Sequence, residues 1–507
     1  MVLHSGTGSQ TVVQAEDTYD LLVVGGGING AGIAADAAGR GLRVLLCEKG
    51  DLGGATSSAS TKLIHGGLRY LEYFEIRLVR EALAEREVLL GMAPHIVWPM
   101  RFRLPHRPGL RPRWMIRIGL WLYDWLGSRN TLPASVTVGP ETSGPLRDSL
   151  RHAFEYSDCW VDDARLVVLN ALLAREHGAT IQTRTACTAL SAQADGWLAT
   201  LINQESGAAE TVRARAVINA TGPWVEQVAE ALQPSAPSRP VRLVKGSHIV
   251  VPRLYKGSHA YLFQHTDRRV IFVIPYENDF SLIGTTEEEC HGDPGQAQAS
   301  EEEIDYLLEA VSTYFREPVT RAQIRHRFAG VRPLMEEENE SATSLSRDYH
   351  LQFDRQPAPL LTVYGGKITT YRRLAESALA QLKTVLPAMS QAWTAGAVLP
   401  GGDFEEQSRL LADFRARWPW LPEDVVRRWV RSYGTRALKL VGQADSLSDM
   451  GRHFGAGLYE QEARYLMEQE WAVTADDILW RRTKIGLHMS EAQRSEFHAW
   501  LQEGAPE

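Results

Sequence analysis

Gly25, Gly27 and Gly30 fill the three fixed positions of a G-x-G-x-x-G turn, and Glu48 follows Gly30 by 18 residues. That set of residue types can hold an adenosine dinucleotide. Gly25 permits the tight turn, Gly27 lets a pyrophosphate approach the backbone, and Gly30 lets a helix pack closely on its strand. Asn29 lies inside the same turn. The Glu48 carboxylate can accept both hydroxyls of an adenosine ribose. An acid at that point also repels a 2′-phosphate, which disfavours NADP.

The elements that must position these groups are visible in the pattern. An apolar strand runs from Asp20, a small-residue helix follows the glycines, and Arg43–Cys47 is a second strand, so residues 19–48 form a βαβ unit. The helix N-terminus offers unpaired N–H groups and a partial positive charge to the pyrophosphate. Two further strands run into glycine turns, Val217–Gly222 and Leu360–Lys367. An NAD site needs only the first turn. FAD lies across the whole sheet and needs close backbone approach at the later strand ends. Gly222 fits beside its adenine half, and Gly365 and Gly366 fit beside the ribityl or isoalloxazine end. The helix after Gly366 would point its dipole at the anionic edge of a reduced flavin.

Composition narrows the rest. The chain has 507 residues, 44% hydrophobic and 23% charged, with a net charge of −8. Two or three domains with substantial cores are expected, and nothing favours nucleic acid as a partner. Four scattered cysteines form no C-x-x-C pair, and the fifteen histidines form no H-E-x-x-H pair. No metal is therefore expected, and a reducing compartment suits the thiols. Residues 1–18 read as a flexible polar tail, not a signal peptide. No apolar run is long enough to span a bilayer. No G-x-S-x-G motif supports hydrolase chemistry.

Longer runs make a family recognisable: GGGINGAGIAADAAGRGL, TSSASTKLIHGGLRYLE, EYSDCWVDDARLV, INATGPWV, KGSHIVVP, FVIPY, GVRPL and GGKITTYRRLAE. Together, over about residues 19–500, they closely resemble the aerobic, FAD-dependent glycerol-3-phosphate dehydrogenases of the bacterial type. The longer N-terminal tail is the one departure. The resemblance implies an α/β fold. Its FAD-binding Rossmann-like domain is of the D-amino-acid/glycine oxidase type, with an antiparallel-sheet substrate domain and a C-terminal α-helical cap. The oxidoreductase region would cover 19–390. Its FAD domain would be discontinuous, about 19–95, 155–225 and 325–390, with the substrate domain about 226–324 and the helical domain 391–507. The implied reaction takes sn-glycerol 3-phosphate to dihydroxyacetone phosphate and passes electrons to quinone at the cytoplasmic face of the cell membrane. A homodimer is compatible with this reading and not specified by it.

Within the matched motifs, Arg332, Arg347, Arg69 and Lys367 are the candidate phosphate cations, because a desolvated phosphate favours the planar donor fork of arginine. Arg332 stands out between Gly330 and Pro333, which suggest a rigid turn. Removing the proton of a C2 hydroxyl suits a base that titrates near neutrality, so His248 and His65 are the candidates. His248 is favoured as base and His65 as a contact on the flavin side, with the motifs not deciding between them. Tyr70 and Thr370 are candidate orienting hydroxyls. Ser57, Ser58 and Thr61 are placed to bind the FAD pyrophosphate or ribityl chain.

Residues 101–129 carry seven arginines against one acid, Asp124, a local charge of +6. Tryptophans and aliphatic residues share the segment. At helical spacing Arg113, Arg117, Asp124 and Ser128 fall on one stripe and the remainder is mostly apolar. A basic helix with interfacial tryptophans suits an anionic lipid surface. Alternative readings on the same residues are an oxidase that passes electrons to oxygen, and a membrane-bound flavin sensor without turnover.

Overall fold

The computed structural model describes residues 18–107, 111–127, 131–139, 144–232, 239–265, 267, 269–335 and 348–503, and of Leu232 the backbone only. Residues 1–17 of the expected tail lie outside these residues, as do Ser128, Arg129 and Arg347, while Thr18 opens the first strand.

β1 (Thr18–Val24) and β2 (Val44–Cys47) flank α1 (Ile28–Gly39). Their four-residue apolar cores are buried on both faces, as is usual for a parallel sheet: α1 and the helices Asp163–Glu176 and Tyr371–Leu382 cover one face, and the antiparallel strands Thr185–Gln193 and Gly196–Asn203 pack on the other. The sheet runs Tyr349–Asp354, Leu360–Gly365, Ala209–Asn219, β1, β2, Thr180–Gln182. The middle strands are parallel and in register at their carboxyl ends, with Val24 opposite both Asn219 and Cys47. α1 buries its small face against α4 (Asp163–Glu176), which follows α2 (Ile76–Met92) and α3 (Arg113–Leu126) in the chain. In open α/β sheets ligands bind in the crevice at those carboxyl ends.

The second sheet is almost wholly antiparallel and is larger than expected. It contains Val241–Pro252, Ala260–Gln264, Val270–Tyr276 and Phe280–Gly284, but also Val97–Pro105, Ala153–Val161 and His326–Met335. The anticipated boundaries are therefore corrected: the strand at 153–161 and the strand at 326–335 belong to the substrate sheet. The latter pairs with Val241–Pro252 along its length, from Val241 opposite Met335 to Val250 opposite His326. Alternating strands carry the same pattern whichever sheet they join, so only the pairing reveals the assignment.

The C-terminal region is helical around its own core, which includes Trp418, Trp429, Tyr433, Phe454, Phe497 and Trp500. Trp471 instead packs on the core of the first sheet. Buried ion pairs tie the two regions together: Arg165 with Glu470, and Arg482 with Asp51 at 2.7 Å. Breaking one partner of such a pair typically costs about 3–5 kcal/mol.

Candidate active site

A cavity of about 830 Å³ runs from the carboxyl edge of the first sheet to the face of the second. Ligand pockets commonly measure about 300–1,000 Å³, so this one is sized for a large ligand. Its walls include Gly25, Gly27, Asn29, Glu48, Ser57, Thr61, Gly222, Gly366, Lys367, His65, Tyr70, His248 and Arg332. Residues spread over 343 positions of chain thus meet on one surface.

The first glycine turn behaves as its spacing implies. Gly25 has φ +109, and a Cβ there would lie 2.6 Å from the Ala220 carbonyl oxygen, at the end of the Ala209–Asn219 strand. A Cβ on Gly30 would collide with the Gly25 carbonyl oxygen. Gly30 therefore supports the turn from behind and does not line the cavity. Ile28 N–H, at the start of α1, donates to Ser57 Oγ at 3.0 Å, so the Ser57 hydroxyl sits over the helix N-terminus. Glu48 accepts from Gly26 N–H at 2.6 Å and from Gly50 N–H at 2.8 Å. Burial raises its pKa despite those bonds. A carboxylate has further acceptor positions, so ribose hydroxyls remain within its chemistry.

The last glycine turn closes on the first. Asn29 Nδ2 donates to the Gly365 carbonyl at 3.1 Å, and Gly366, at φ +102, brings its backbone within reach of the Asn29 side chain. Asn29 Oδ1 is buried and accepts no hydrogen bond among the described residues. These features fit FAD: a glycine cradle at a helix N-terminus, an acid at the β2 end, and a buried acceptor between the two turns. Glu48 would hold the adenosine ribose, Gly27, Ser57 and the α1 N-terminus the pyrophosphate, and Gly366 with Asn29 the flavin end.

His248 lies on the Val241–Pro252 strand, where Phe328 stacks on its ring at 4.9 Å. It is 2% exposed, and its Nε2 is 3.0 Å from Thr61 Oγ1. Thr61, expected as a cofactor ligand, is thus engaged with the histidine, although it lines the same wall. Burial, then the charges of Lys62 and Arg332, hold the His248 pKa well below the usual imidazole range. The expectation of a base titrating near neutrality is corrected: the ring is neutral throughout the neutral range. The tautomer sets which of His248 Nε2 and Thr61 Oγ1 donates, and His248 Nδ1 is buried without a hydrogen-bond partner among the described residues.

Arg332 reaches the cavity from the His326–Met335 strand. Its Nη2 donates to Thr285 Oγ1 at 3.2 Å, and its Nη1 is 3.6 Å from Glu287 Oε1. Lys367 Nζ stands 3.8 Å over the Tyr70 ring, and Lys367 caps the turn that leads into the helix Tyr371–Leu382. His65 also lines the wall, with its N–H 3.3 Å from Thr369 Oγ1.

Three expected contacts are placed elsewhere. Thr370 is buried at the start of the Tyr371–Leu382 helix and off the cavity wall, where Thr369 takes the lining position. Ser58 turns its hydroxyl to the Ala55 carbonyl at 3.3 Å and its carbonyl to Lys62 Nζ at 3.0 Å. Arg69, on the 3-10 turn Leu68–Tyr73, is half-buried and outside the wall that Tyr70 joins. In each case one step of backbone rotation separates the lining residue from its neighbour.

Sequence reasoning missed Arg184, Trp224 and Arg481, which line the adenosine end. Lys49 Nζ sits 3.9 Å over the Trp224 ring, and Trp224 Nε1 donates to Asp293 at 3.2 Å. Arg481 comes from the C-terminal region and is held by Asp51 at 2.5 Å. The motif Trp480-Arg-Arg-Thr-Lys was its only available signal. Among the described residues, no group of three metal-ligating side chains occurs and no helix is long and apolar enough to cross a membrane.

Residues 20–372 match the family described as FAD dependent oxidoreductase, and residues 392–501 match the C-terminal domain of alpha-glycerophosphate oxidase. The chain is 53% identical over 494 residues to a glycerol-3-phosphate dehydrogenase of Pseudomonas aeruginosa, covering 97% of this chain and 96% of that protein. It is 52% identical over 495 residues to a D-erythritol 1-phosphate dehydrogenase of Brucella abortus, covering 96% and 98%. A glycerol-3-phosphate dehydrogenase from Bacillus halodurans, solved with FAD, is similar at a TM-score of 0.74 and 26% identity, over 96% of this chain and 95% of that one. A glycine oxidase from Geobacillus kaustophilus shares the fold, with a TM-score of 0.55 and 20% identity over 75% and 98%. With the dinucleotide cradle, the second sheet and the helical C-terminal region all accounted for by these matches, the chain belongs to the FAD-dependent oxidoreductase family, in its glycerol-3-phosphate dehydrogenase branch.

Proposed function

We propose that the protein oxidises sn-glycerol 3-phosphate to dihydroxyacetone phosphate, and that it works as a peripheral membrane enzyme passing electrons to quinone. The observation that carries the first part is convergence: Arg332, Lys367 and the buried neutral His248 line one cavity with the last glycine turn. Arg332, anchored by Thr285, offers a donor fork to the phosphate. Neutral His248, held beside Thr61 on the cavity wall, can take the C2 hydroxyl proton. FAD, when bound, supplies the acceptor for the C2 hydride. Phe272 and Leu63 also line the wall and limit water at that end.

A four-carbon polyol phosphate is the second reading, favoured by the near-equal identity to the D-erythritol 1-phosphate dehydrogenase. Anaerobic mixing of the yellow holoprotein with sn-glycerol 3-phosphate, D-erythritol 1-phosphate or glycerol decides between them. Rapid bleaching by the first, with slow bleaching by the other two, is expected. Faster reduction by the erythritol phosphate would transfer the assignment to the longer substrate, and reduction by neither phosphate would end both readings.

The membrane part is supported by α3. Trp114, Ile118, Trp121 and Trp125 stand 56–68% exposed on one stripe, while Leu120 and Tyr123 face inward. Phe74, 84% exposed, extends the apolar surface from the adjoining turn. The charge is less available than the +6 count implies. Arg101 and Arg103 lie on a strand and both bond to Glu155, and Arg111 pairs with Glu72. Arg117 donates to the Ser135 carbonyl at 3.1 Å, and Asp124 also accepts from Ser135. An aromatic face at headgroup depth therefore carries more of the attraction than arginine does. The cytoplasmic face of the cell membrane is the site this reading assigns, since the quinone is in the lipid.

A further inference from the structure

His65 and Tyr70 enter the cavity from one strap of backbone, and that strap is fixed from outside by α3. Gly66 N–H donates to the Tyr123 hydroxyl at 2.8 Å and lies 3.4 Å from Asp158 Oδ1. The Tyr123 hydroxyl in turn lies 2.8–2.9 Å from the Asp158 carboxylate oxygens, to which it donates. Arg86 Nη1 donates to Asp158 at 2.8 Å and to the Ser157 carbonyl at 3.0 Å. All three side chains are buried, at 1–3% exposed. Burial holds the Tyr123 hydroxyl far above its usual pKa, so it keeps its proton. One proton given to Asp158 and one lone pair offered to Gly66 fix the direction of every bond in this chain. A Cβ on Gly66 would lie 2.6 Å from the same hydroxyl, so the approach depends on glycine at that point.

We propose that Tyr123 is a positioning residue for the substrate site. Its hydroxyl, oriented by Asp158 and Arg86, sets the depth of the strap at residue 66 and so places His65 and Tyr70 against the cavity. The proposal rests on the reading that this end of the cavity receives the polyol phosphate. Packing alone does not explain the residue, because phenylalanine would fill the same core beside Leu83, Tyr156 and Leu120. In Tyr123→Phe, Gly66 N–H keeps only the 3.4 Å oxygen and Asp158 loses a donor. The strap can then shift, and a misplacement of about 1 Å costs roughly 100-fold in an oriented reaction.

The test compares holoenzyme carrying Tyr123→Phe with the parent and with Leu120→Ala, which loses core packing on the same helix and keeps the hydrogen bonds among Gly66, Tyr123 and Asp158. Tyr123→Phe should retain parental FAD content. Its anaerobic flavin reduction, as rate constant over apparent Kd for glycerol 3-phosphate, should fall about 10- to 100-fold. Leu120→Ala should unfold at lower temperature yet reduce its flavin within about twofold of the parent, as expected for lost packing alone. Parental kinetics in Tyr123→Phe, or an equal kinetic loss in Leu120→Ala, overturns the proposal. A parent that no polyol phosphate reduces refutes the functional reading instead. The visible flavin band of Tyr123→Phe then decides: a displaced maximum supports the positioning role, and an unchanged spectrum overturns it.

Discussion

His248 should act without a titration in the neutral range, and pH alone tests this. A base must be neutral to accept the C2 hydroxyl proton. An imidazole with an ordinary pKa of about 6.5 would be about 90% neutral at pH 7.5 and about 10% neutral at pH 5.5, so the rate would fall roughly tenfold. Here burial comes first, and the cations Lys62 and Arg332 add to it, each disfavouring the imidazolium. A depressed pKa moves the loss of base to lower pH, so the reductive rate should fall by clearly less than that roughly tenfold between about pH 7.5 and 5.5. The assay is anaerobic stopped-flow flavin reduction at saturating glycerol 3-phosphate. Saturation is needed because a phosphate monoester has its own second pKa near about 6, which alters binding to Arg332. His248→Ala should lower the limiting rate by about 10²–10⁴-fold, the usual contribution of a general base. His65→Ala should lose less. The reasoning is refuted if the parent loses about tenfold with a midpoint near 6.5 and His248→Ala lacks that step. If His65→Ala shows the larger loss, the two histidines exchange roles.

Two further outcomes follow from the same geometry. Arg332→Ala removes the phosphate cation and leaves the Glu287 carboxylate, 3.6 Å from its Nη1, facing a dianion. This should cost about 2–4 kcal/mol in kcat/KM, roughly 30- to 1,000-fold, while glycerol stays a poor substrate for both proteins; equal loss with glycerol would remove phosphate from the role of Arg332. On α3, Trp121 and Trp125 each offer roughly 150 Å² to an interface, about 4 kcal/mol at about 25 cal/mol per Å², against roughly 1 kcal/mol for each well-placed arginine. Trp121→Ser with Trp125→Ser should therefore abolish sedimentation with anionic vesicles more completely than Arg113→Glu with Arg117→Glu, with reduction of a soluble dye unchanged in both. The reverse order would make the surface electrostatic, and parental vesicle binding in all four changes would place any membrane contact elsewhere.

What the amino-acid sequence made legible is local in character. Gly25, Gly30 and Glu48 each answer a constraint set within one βαβ unit, and the observed contacts of Gly30 with the Gly25 carbonyl and of Glu48 with Gly26 are consequences of that unit alone. Gly366 was legible for the same reason, since a strand that ends on glycine before a helix announces a turn. The sheet that the strands at 153–161 and 326–335 join depends instead on partners far along the chain. Rotation about single residues decided Thr369 against Thr370 and Ser57 against Ser58, and no pattern of residue types encodes that. Arg481 reaches the adenosine end with its guanidinium held by Asp477 and by Asp51, 430 positions earlier. His248 shows the limit most sharply. Its residue type announces an imidazole, yet its charge state is set by burial between strands and by Lys62 and Arg332, which arrive from other elements. Chemistry that depends on which groups exist can be read from the chain; chemistry that depends on how strongly they are desolvated exists only after folding.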